Sequence, residues 1–122
     1  MLYAILCYAS EDVVSSWSKA QDDEVIGKLL NVQEKYVQAG RLGPVARLLP
    51  TTAAATLRKE DPPLVLDGPY AETKEQLLGF YIVDCQSLDE AIETSRELAR
   101  ANMGGSYEIR PVAQLDAGGL PP

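Results

Sequence analysis

Apolar residues along the chain fall into continuous runs and into helical repeats, and each pattern predicts a different element. Residues 1–9 are almost wholly apolar, which is typical of a strand that is covered on both faces. After a polar stretch, apolar residues recur every three or four positions from Val25 to Val37, which predicts the first helix. The candidate caps of this helix are Ser18 with Gln21, or Asp22, at its start and Gly40 at its end.

The segment that follows is interrupted by glycine and proline. One glycine and two prolines break any long regular element over residues 42–52. Residues 54–59 and 64–66 are predicted to be strands, because a turn-forming Glu-Asp-Pro-Pro segment separates them. We therefore expect an accessory hairpin between the two larger units of the chain.

The second half of the chain repeats the order strand, helix, strand. Residues 79–85 are typical of another inner strand, and Ser87 with Glu90 has the capping-box signature of a helix start. An Asn and two glycines end this helix, and residues 107–112 then alternate as in a strand with one buried face. The last residues, 116–122, are expected to form a loose tail.

These elements describe an α+β domain of ferredoxin-like plan. Right-handed connections fold two β-α-β units into one antiparallel sheet with both helices on the same face. Two helices cover only one side of such a sheet, and the bare side would expose a large apolar patch. We therefore expect a single domain, residues 1–115, that forms a homodimer in which the second copy covers the open face.

The charge of the chain limits its partners. The formal net charge is -7, and the eleven Lys and Arg residues are interspersed with acidic ones. This distribution argues against nucleic acid and anionic membranes as partners and favours a small neutral or cationic organic ligand. The amino-terminal apolar run is far shorter than a membrane span and follows no basic segment, so we expect a cytoplasmic protein.

The sequence contains no motif that is typical of a metal or cofactor site. The chain has no His and only two cysteines, Cys7 and Cys85, each in an apolar run that predicts a buried reduced thiol. Carboxylates alone could ligate Mg²⁺ or Ca²⁺, but their spacing matches no recognisable ligand motif. The sequence also has no glycine-rich phosphate loop, so we expect neither a metal nor a cofactor.

The densest group of reactive side chains lies in residues 67–75, with the sequence Asp-Gly-Pro-Tyr-Ala-Glu-Thr-Lys-Glu. Gly and Pro constrain the turn, and loops at strand ends frequently carry function. Asp67, Glu72 and Lys74 could perform acid–base catalysis if a pocket shifted their pKa values. The alternative is structural, because an Asp before Gly-Pro is a common turn former and the remainder is typical of a solvated loop.

This nine-residue segment resembles the naming motif of the DGPF-domain branch of the YCII-related family, from which it departs only at Tyr70, where the motif has Phe. The segments around Gly40, Phe80 and Ile109 are similar to the family's as well. The resemblance implies a dimeric α/β-barrel in which the open faces of two sheets meet and enclose a cleft. It also implies a range of functions, from enzymes that isomerise or dechlorinate ring compounds to proteins encoded beside extracytoplasmic-function sigma factors.

One departure from the family concerns catalysis. The wider YCII-related family carries a His and Asp pair proposed as its acid–base centre, with the His on the first helix, whereas this chain has no His. Asp22, Asp23 and Glu24 occupy the corresponding neighbourhood. Acidic residues in the first turn of a helix are also favoured by the helix dipole, and we prefer that structural interpretation.

Further candidates for ligand binding lie on predicted strands and beside the loop. Arg47 and Arg110 could bind a carboxylate ligand or form ion pairs, and we favour the ion pairs. The rings of Tyr70 and Tyr81 could line the same cleft. Trp17 could close a cleft or act as a hydrophobic staple at the helix entry, and we favour the staple.

These observations support three functional hypotheses. The first is a cofactor-free acid–base enzyme of isomerase, lyase or dehalogenase type that acts on a small organic compound. The second is a non-catalytic small-ligand sensor or interaction module linked to an extracytoplasmic-function sigma factor. The third is architectural, with Asp67 capping the loop and with Glu72 and Lys74 bridging the subunits.

Overall fold

The strands and helices follow the order that the hydrophobic pattern predicts, with two additions. The computed structural model describes residues 1–121, so Pro122, the last residue of the expected tail, lies outside the described residues. The strands are β1 (Leu2–Ala9), β2 (Leu42–Arg47), β3 (Ala55–Arg58), β4 (Leu64–Asp67), β5 (Gln76–Asp84) and β6 (Ser106–Pro111). The helices are α1 (Glu11–Ser15), α2 (Lys19–Gln38) and α3 (Leu88–Ala101), with a 3-10 turn at Thr51–Ala53. None of the helices described is long and apolar enough to cross a membrane.

The main sheet has the strand order β2-β5-β1-β6, and every neighbouring pair in it is antiparallel. The inner strand β1 pairs with β5 on one side and with β6 on the other, so Ile5 stands opposite both Tyr81 and Ile109. Consequently β1 and β2 are parallel to each other with β5 between them, and β5 and β6 are parallel with β1 between them. This split β-α-β arrangement is that of an α+β ferredoxin-like fold, as the sequence predicts.

The core lies between the main sheet and the two long helices. Ile5 and Val83 from the sheet are buried against Leu98 of α3, and Leu29 and Val32 of α2 contact the same cluster. Because successive strand residues point to opposite sides of a sheet, both helices cover the same face. We call the opposite side of the sheet the open face.

The predicted caps of both long helices form, one of them only in part. The Ser18 side chain accepts a hydrogen bond from the Gln21 amide at 3.1 Å, and the Gln21 side chain accepts one from the Ser18 amide at 2.9 Å. At α3 the Ser87 side chain caps the Glu90 amide at 3.2 Å, as expected. The Glu90 carboxylate, however, accepts a hydrogen bond from the Gln86 amide rather than from Ser87, so the second capping box is incomplete.

Two segments differ from the sequence expectation. The polar stretch before α2 forms the short helix α1, whose acidic first turn suits the helix dipole. Strand β2 forms although Gly43 and Pro44 interrupt its sequence. Its register against β5 shifts between Leu42 and Val45, so the edge of the sheet accommodates both residues in an irregularity that the pattern of apolar positions does not reveal.

The predicted hairpin of β3 and β4 is confirmed as a separate two-stranded sheet. Leu57 stands opposite Val65 across this hairpin, and both side chains are exposed. Strand β4 ends at Asp67, so the hairpin leads directly into residues 67–75, which we call the signature loop. The loop therefore connects the accessory hairpin to strand β5 of the main sheet.

Candidate functional site

A cavity of about 450 Å³ lies between the helices and the main sheet, where β1 and β2 end and β5 and β6 begin. We call it the helix-side cavity. Its walls come from β1, α1, α2, β2, β5, β6 and the loop after α3. Its lining includes Cys7, Trp17, Asp22, Val25, Arg47, Glu75, Gly79, Tyr81 and Tyr107.

The floor of the cavity consists of three neighbouring strand positions. Cys7 of β1 stands opposite Gly79 of β5 and Tyr107 of β6, and all three face the helices. Gly79 has no side chain, and a Cβ there would lie 2.4 Å from the carbonyl oxygen of Ala46 in β2. Since β5 and β2 approach so closely, only glycine fits, and the floor at this end of the sheet has little side-chain volume to fill the space below α2.

The walls above this floor are apolar. Val25 and Ile26 line the cavity from α2, while Val14 and Trp17 line it from α1 and the connection to α2. The favoured interpretation of Trp17 as a hydrophobic staple is wrong, because the fourth position of α2, where the apolar partner of a staple belongs, is Asp22. The indole instead forms part of the cavity wall.

Charged groups of the lining stand on both sides of the cavity. The Arg47 guanidinium lies 3.2 Å from an Asp22 carboxylate oxygen, and the Asp22 side chain is about two-thirds buried (33% exposed). Glu75 accepts a hydrogen bond from the Ser106 hydroxyl at 2.8 Å. Asp22 therefore has a role besides the expected complement to the helix dipole, since it holds Arg47 at the lining.

Burial raises the pKa values of three titratable groups of the lining. It raises the pKa of the Cys7 thiol from 9.0 to about 12, and the thiol donates a weak hydrogen bond to the Ile5 carbonyl oxygen at 3.7 Å. Burial also raises the pKa values of Tyr81 and Tyr107 above the ordinary value for a phenol. At neutral pH the Cys7 thiol and the Tyr81 and Tyr107 phenols of the lining carry no charge, which is unsuited to thiolate chemistry.

Helix α1 is fastened by a single acidic residue. The Glu11 carboxylate accepts hydrogen bonds from the Thr51 amide and the Thr51 hydroxyl, each at 2.7 Å. The Glu11 amide donates to the Gln76 side chain at 3.0 Å, and Gln76 in turn donates to the Thr73 carbonyl oxygen at 2.5 Å. This chain of contacts joins the wall that carries Val14 and Trp17 to the signature loop.

The three predicted catalytic residues lie outside the helix-side cavity. Asp67, Glu72 and Lys74 are all exposed, and so is Tyr70, at 85% of its surface. Glu72 lines a separate depression of about 330 Å³, together with residues of the loop and of the 3-10 turn. We call it the loop depression, and neither Asp67 nor Lys74 belongs to its lining in the part of the chain that the structure describes.

The other predicted ligand-binding residues are divided between the two faces of the sheet. Arg47 and Tyr81 line the helix-side cavity, although the sequence predicts a cleft on the open face. Arg110 stands opposite Ala4, on the open face, and is exposed. Arg47 and Tyr81 thus lie on the helix side of the sheet, whereas Arg110 lies on the open face, where the sequence predicts the cleft.

Several lining residues have no signal in the sequence that marks them as ligand-binding candidates. The apolar run around Cys7 predicts a buried thiol, and the alternation of residues 107–112 gives Tyr107 a buried face, but neither pattern marks a cavity. Asp22 is easier to select from the sequence than Cys7 or Tyr107, because it lies near the position at which the family carries its His. Among residues 1–121, no three His, Cys, Asp or Glu side chains gather where they could hold a metal ion.

The sequence profile of the YCII-related domain matches residues 1–116. The chain belongs to the YCII-related family. This YCII-related protein is also 61% identical, over 123 residues, to an uncharacterized protein of Rhizobium meliloti (strain 1021), and the match covers 99% of each chain. This identity extends over nearly the whole of both chains, including the residues that the domain profile matches.

Proposed function

We propose that this YCII-related protein binds a small, mainly apolar organic molecule in the helix-side cavity. The observation that carries the proposal is the cavity itself, about 450 Å³ between α2 and the sheet. Ligand sites usually have volumes of roughly 300–1,000 Å³, apolar walls and a few polar groups that orient the ligand. Asp22, Arg47 and Glu75 are those groups here, and the walls are otherwise apolar or neutral.

Binding without reaction is the function that these groups support best. The Cys7 thiol is neutral, and the Tyr81 and Tyr107 phenols can donate hydrogen bonds to a ligand but carry no charge. A sensor or interaction module needs only such a site. The link to an extracytoplasmic-function sigma factor and the assignment to the DGPF branch rest on the nine-residue resemblance of the signature loop.

The test uses the uncharged dye phenylnaphthylamine, followed by dye fluorescence and by quenching of Trp17, the single Trp of the chain. Val25→Phe fills the cavity, so we expect at least a tenfold loss of affinity. Val37→Phe makes the same change on the exposed face of α2 and should leave the affinity within twofold. Absence of saturable binding, or an equal loss in both variants, would refute the proposal.

A second candidate is acid–base catalysis at the signature loop, as a cofactor-free isomerase, lyase or dehalogenase. It is favoured by Glu72, whose side chain lines the loop depression of about 330 Å³. In this candidate Asp67 and Glu72 exchange the protons and Lys74 adjusts the local charge. Turnover of a panel of ring lactones and chlorophenols should fall at least a hundredfold in Asp67→Asn and Glu72→Gln, with dye binding retained. Loss of dye binding instead would assign the loop a role in the cavity.

We also propose that a second copy of the chain covers the open face. Leu6 and Phe80 stand opposite each other there and are partly exposed, and partly exposed apolar side chains on the inner strands of a sheet favour association. Leu6→Glu should convert a dimer to a monomer in light-scattering measurements, while Leu57→Glu on the hairpin should not. A wild-type monomer at micromolar concentration would exclude this arrangement.

A further inference from the structure

The lining of the helix-side cavity has more carboxylates than cationic side chains. Arg47 is the one cationic side chain of the lining in residues 1–121, and its guanidinium is already engaged by Asp22 at 3.2 Å. Glu75 adds a second carboxylate, whose hydrogen bond comes from an uncharged hydroxyl, that of Ser106. The lining therefore carries a net negative charge, within a chain whose formal net charge is -7.

The remaining polar groups do not change this balance. Cys7, Tyr81 and Tyr107 are neutral at physiological pH, and burial raises their pKa values further above it. A ligand carboxylate that binds the Arg47 guanidinium competes with Asp22, which already accepts a hydrogen bond from one of its nitrogens at 3.2 Å. An uncharged hydroxyl can donate to Asp22 and accept from Arg47 while the ion pair stays intact.

We infer that the cavity selects uncharged hydroxyl compounds over carboxylates, and that Asp22 sets this selectivity by neutralising Arg47. The inference rests on the proposed binding function and names its ligand class. Asp22 acts as a specificity-determining residue, because its removal frees a guanidinium whose planar fork matches a carboxylate. The same cavity then accepts the opposite class of ligand.

The experiment compares naphthol with naphthoate, which share a ring system and differ in charge, by titration calorimetry at pH 7. For the wild-type protein we expect naphthol to bind at least tenfold more tightly. In Asp22→Asn the affinity for naphthoate should rise about tenfold, while that for naphthol changes less than threefold. Asp23→Asn is the matched control, since it removes the same charge from the neighbouring, exposed position.

Each outcome decides between the proposals. Equal or tighter binding of naphthoate to the wild-type protein overturns the selectivity but leaves the cavity as a ligand site. An equal gain in Asp23→Asn shows that overall charge, rather than the Asp22–Arg47 pair, controls the preference, and also overturns it. If neither compound binds, or if Val25→Phe leaves both affinities unchanged, the binding function itself is refuted and the selectivity with it.

Discussion

The signature loop and the helix-side cavity are opposite kinds of region. The loop gathers three carboxylates, an ammonium group and a tyrosine within nine consecutive residues; its four predicted site residues are exposed, whereas Glu75 at its end lines the cavity. The cavity draws its lining from distant segments, mostly with ordinary apolar side chains. A dense run of reactive residue types can therefore mark a solvated connection, whereas a cavity arises where residues of separate strands meet.

The largest expected difference between the two regions concerns their glycines. Gly79→Ala places a Cβ 2.4 Å from the Ala46 carbonyl oxygen, so β2 and β5 must separate, and we expect a loss of about 3 kcal/mol in unfolding free energy. Gly68→Ala in the loop meets no atom within 4 Å and is strained only by its φ of 101°, which costs about 1 kcal/mol. Urea denaturation measures both, and a larger loss in Gly68→Ala would contradict the comparison.

The next largest effect is expected from Glu11, whose contacts connect the cavity wall with the signature loop. Glu11→Ala removes both hydrogen bonds to Thr51, so unfolding free energy should fall by about 1.5 kcal/mol and Trp17 should become more accessible to acrylamide. Asp12→Ala is the control, because it lies beside Glu11 in the same acidic first turn of α1 but is exposed. Equal quenching in both variants would show that α1 is held by packing alone.

The third effect is a pH dependence of the unfolding free energy that arises from Cys7 in the cavity floor. The Cys7 pKa is raised from 9.0 to about 12, so the folded state keeps the proton that the unfolded state loses. The thiol's contribution to stability is therefore complete below pH 9 and is lost as the pH rises toward 12. Between pH 8 and 10 we expect a loss of about 1 kcal/mol, allowing for partial exposure, and a smaller one in Cys7→Ala. If the unfolding free energy depends on pH equally in the wild type and in Cys7→Ala, the thiol is solvated and its pKa is not raised by burial.

The smallest effects are expected in the loop. Asp67→Asn and Glu72→Gln should each change the unfolding free energy by less than about 0.5 kcal/mol, because both side chains are exposed. Differential scanning calorimetry of the two variants beside the wild type measures this. A fall of several degrees in melting temperature would favour the architectural role of the loop and weaken its contrast with the cavity.

Local signals in the sequence are sufficient for most of the fold. The apolar period of α2, the Ser18 and Ser87 caps and the alternation in β6 each depend on a few neighbouring residues, and the structure contains all of them. Strand β2 escapes prediction because a shift in register against β5 decides its pairing. Helix α1 could not be predicted from local sequence, because its first turn is held by contacts with Thr51 and Gln76, which lie far along the chain.

The cavity could not be predicted for a related reason. It exists because Cys7, Gly79 and Tyr107 come into line across three strands, and one residue of slippage would turn them to the open face. No local pattern around any of the three specifies that alignment. Arg47 and Tyr81 are nevertheless ligand-binding candidates in the sequence, since residue type alone suggests them.

The inner position of β1 has a consequence for how the protein is made. This strand is synthesised well before its two partners, β5 and β6, which both belong to the second half of the domain. During translation it must wait as an unpaired apolar segment, the kind of intermediate that aggregates or recruits chaperones. The cavity floor is complete only when β6 has emerged, so the cavity itself is absent from truncated or stalled products that end before β6.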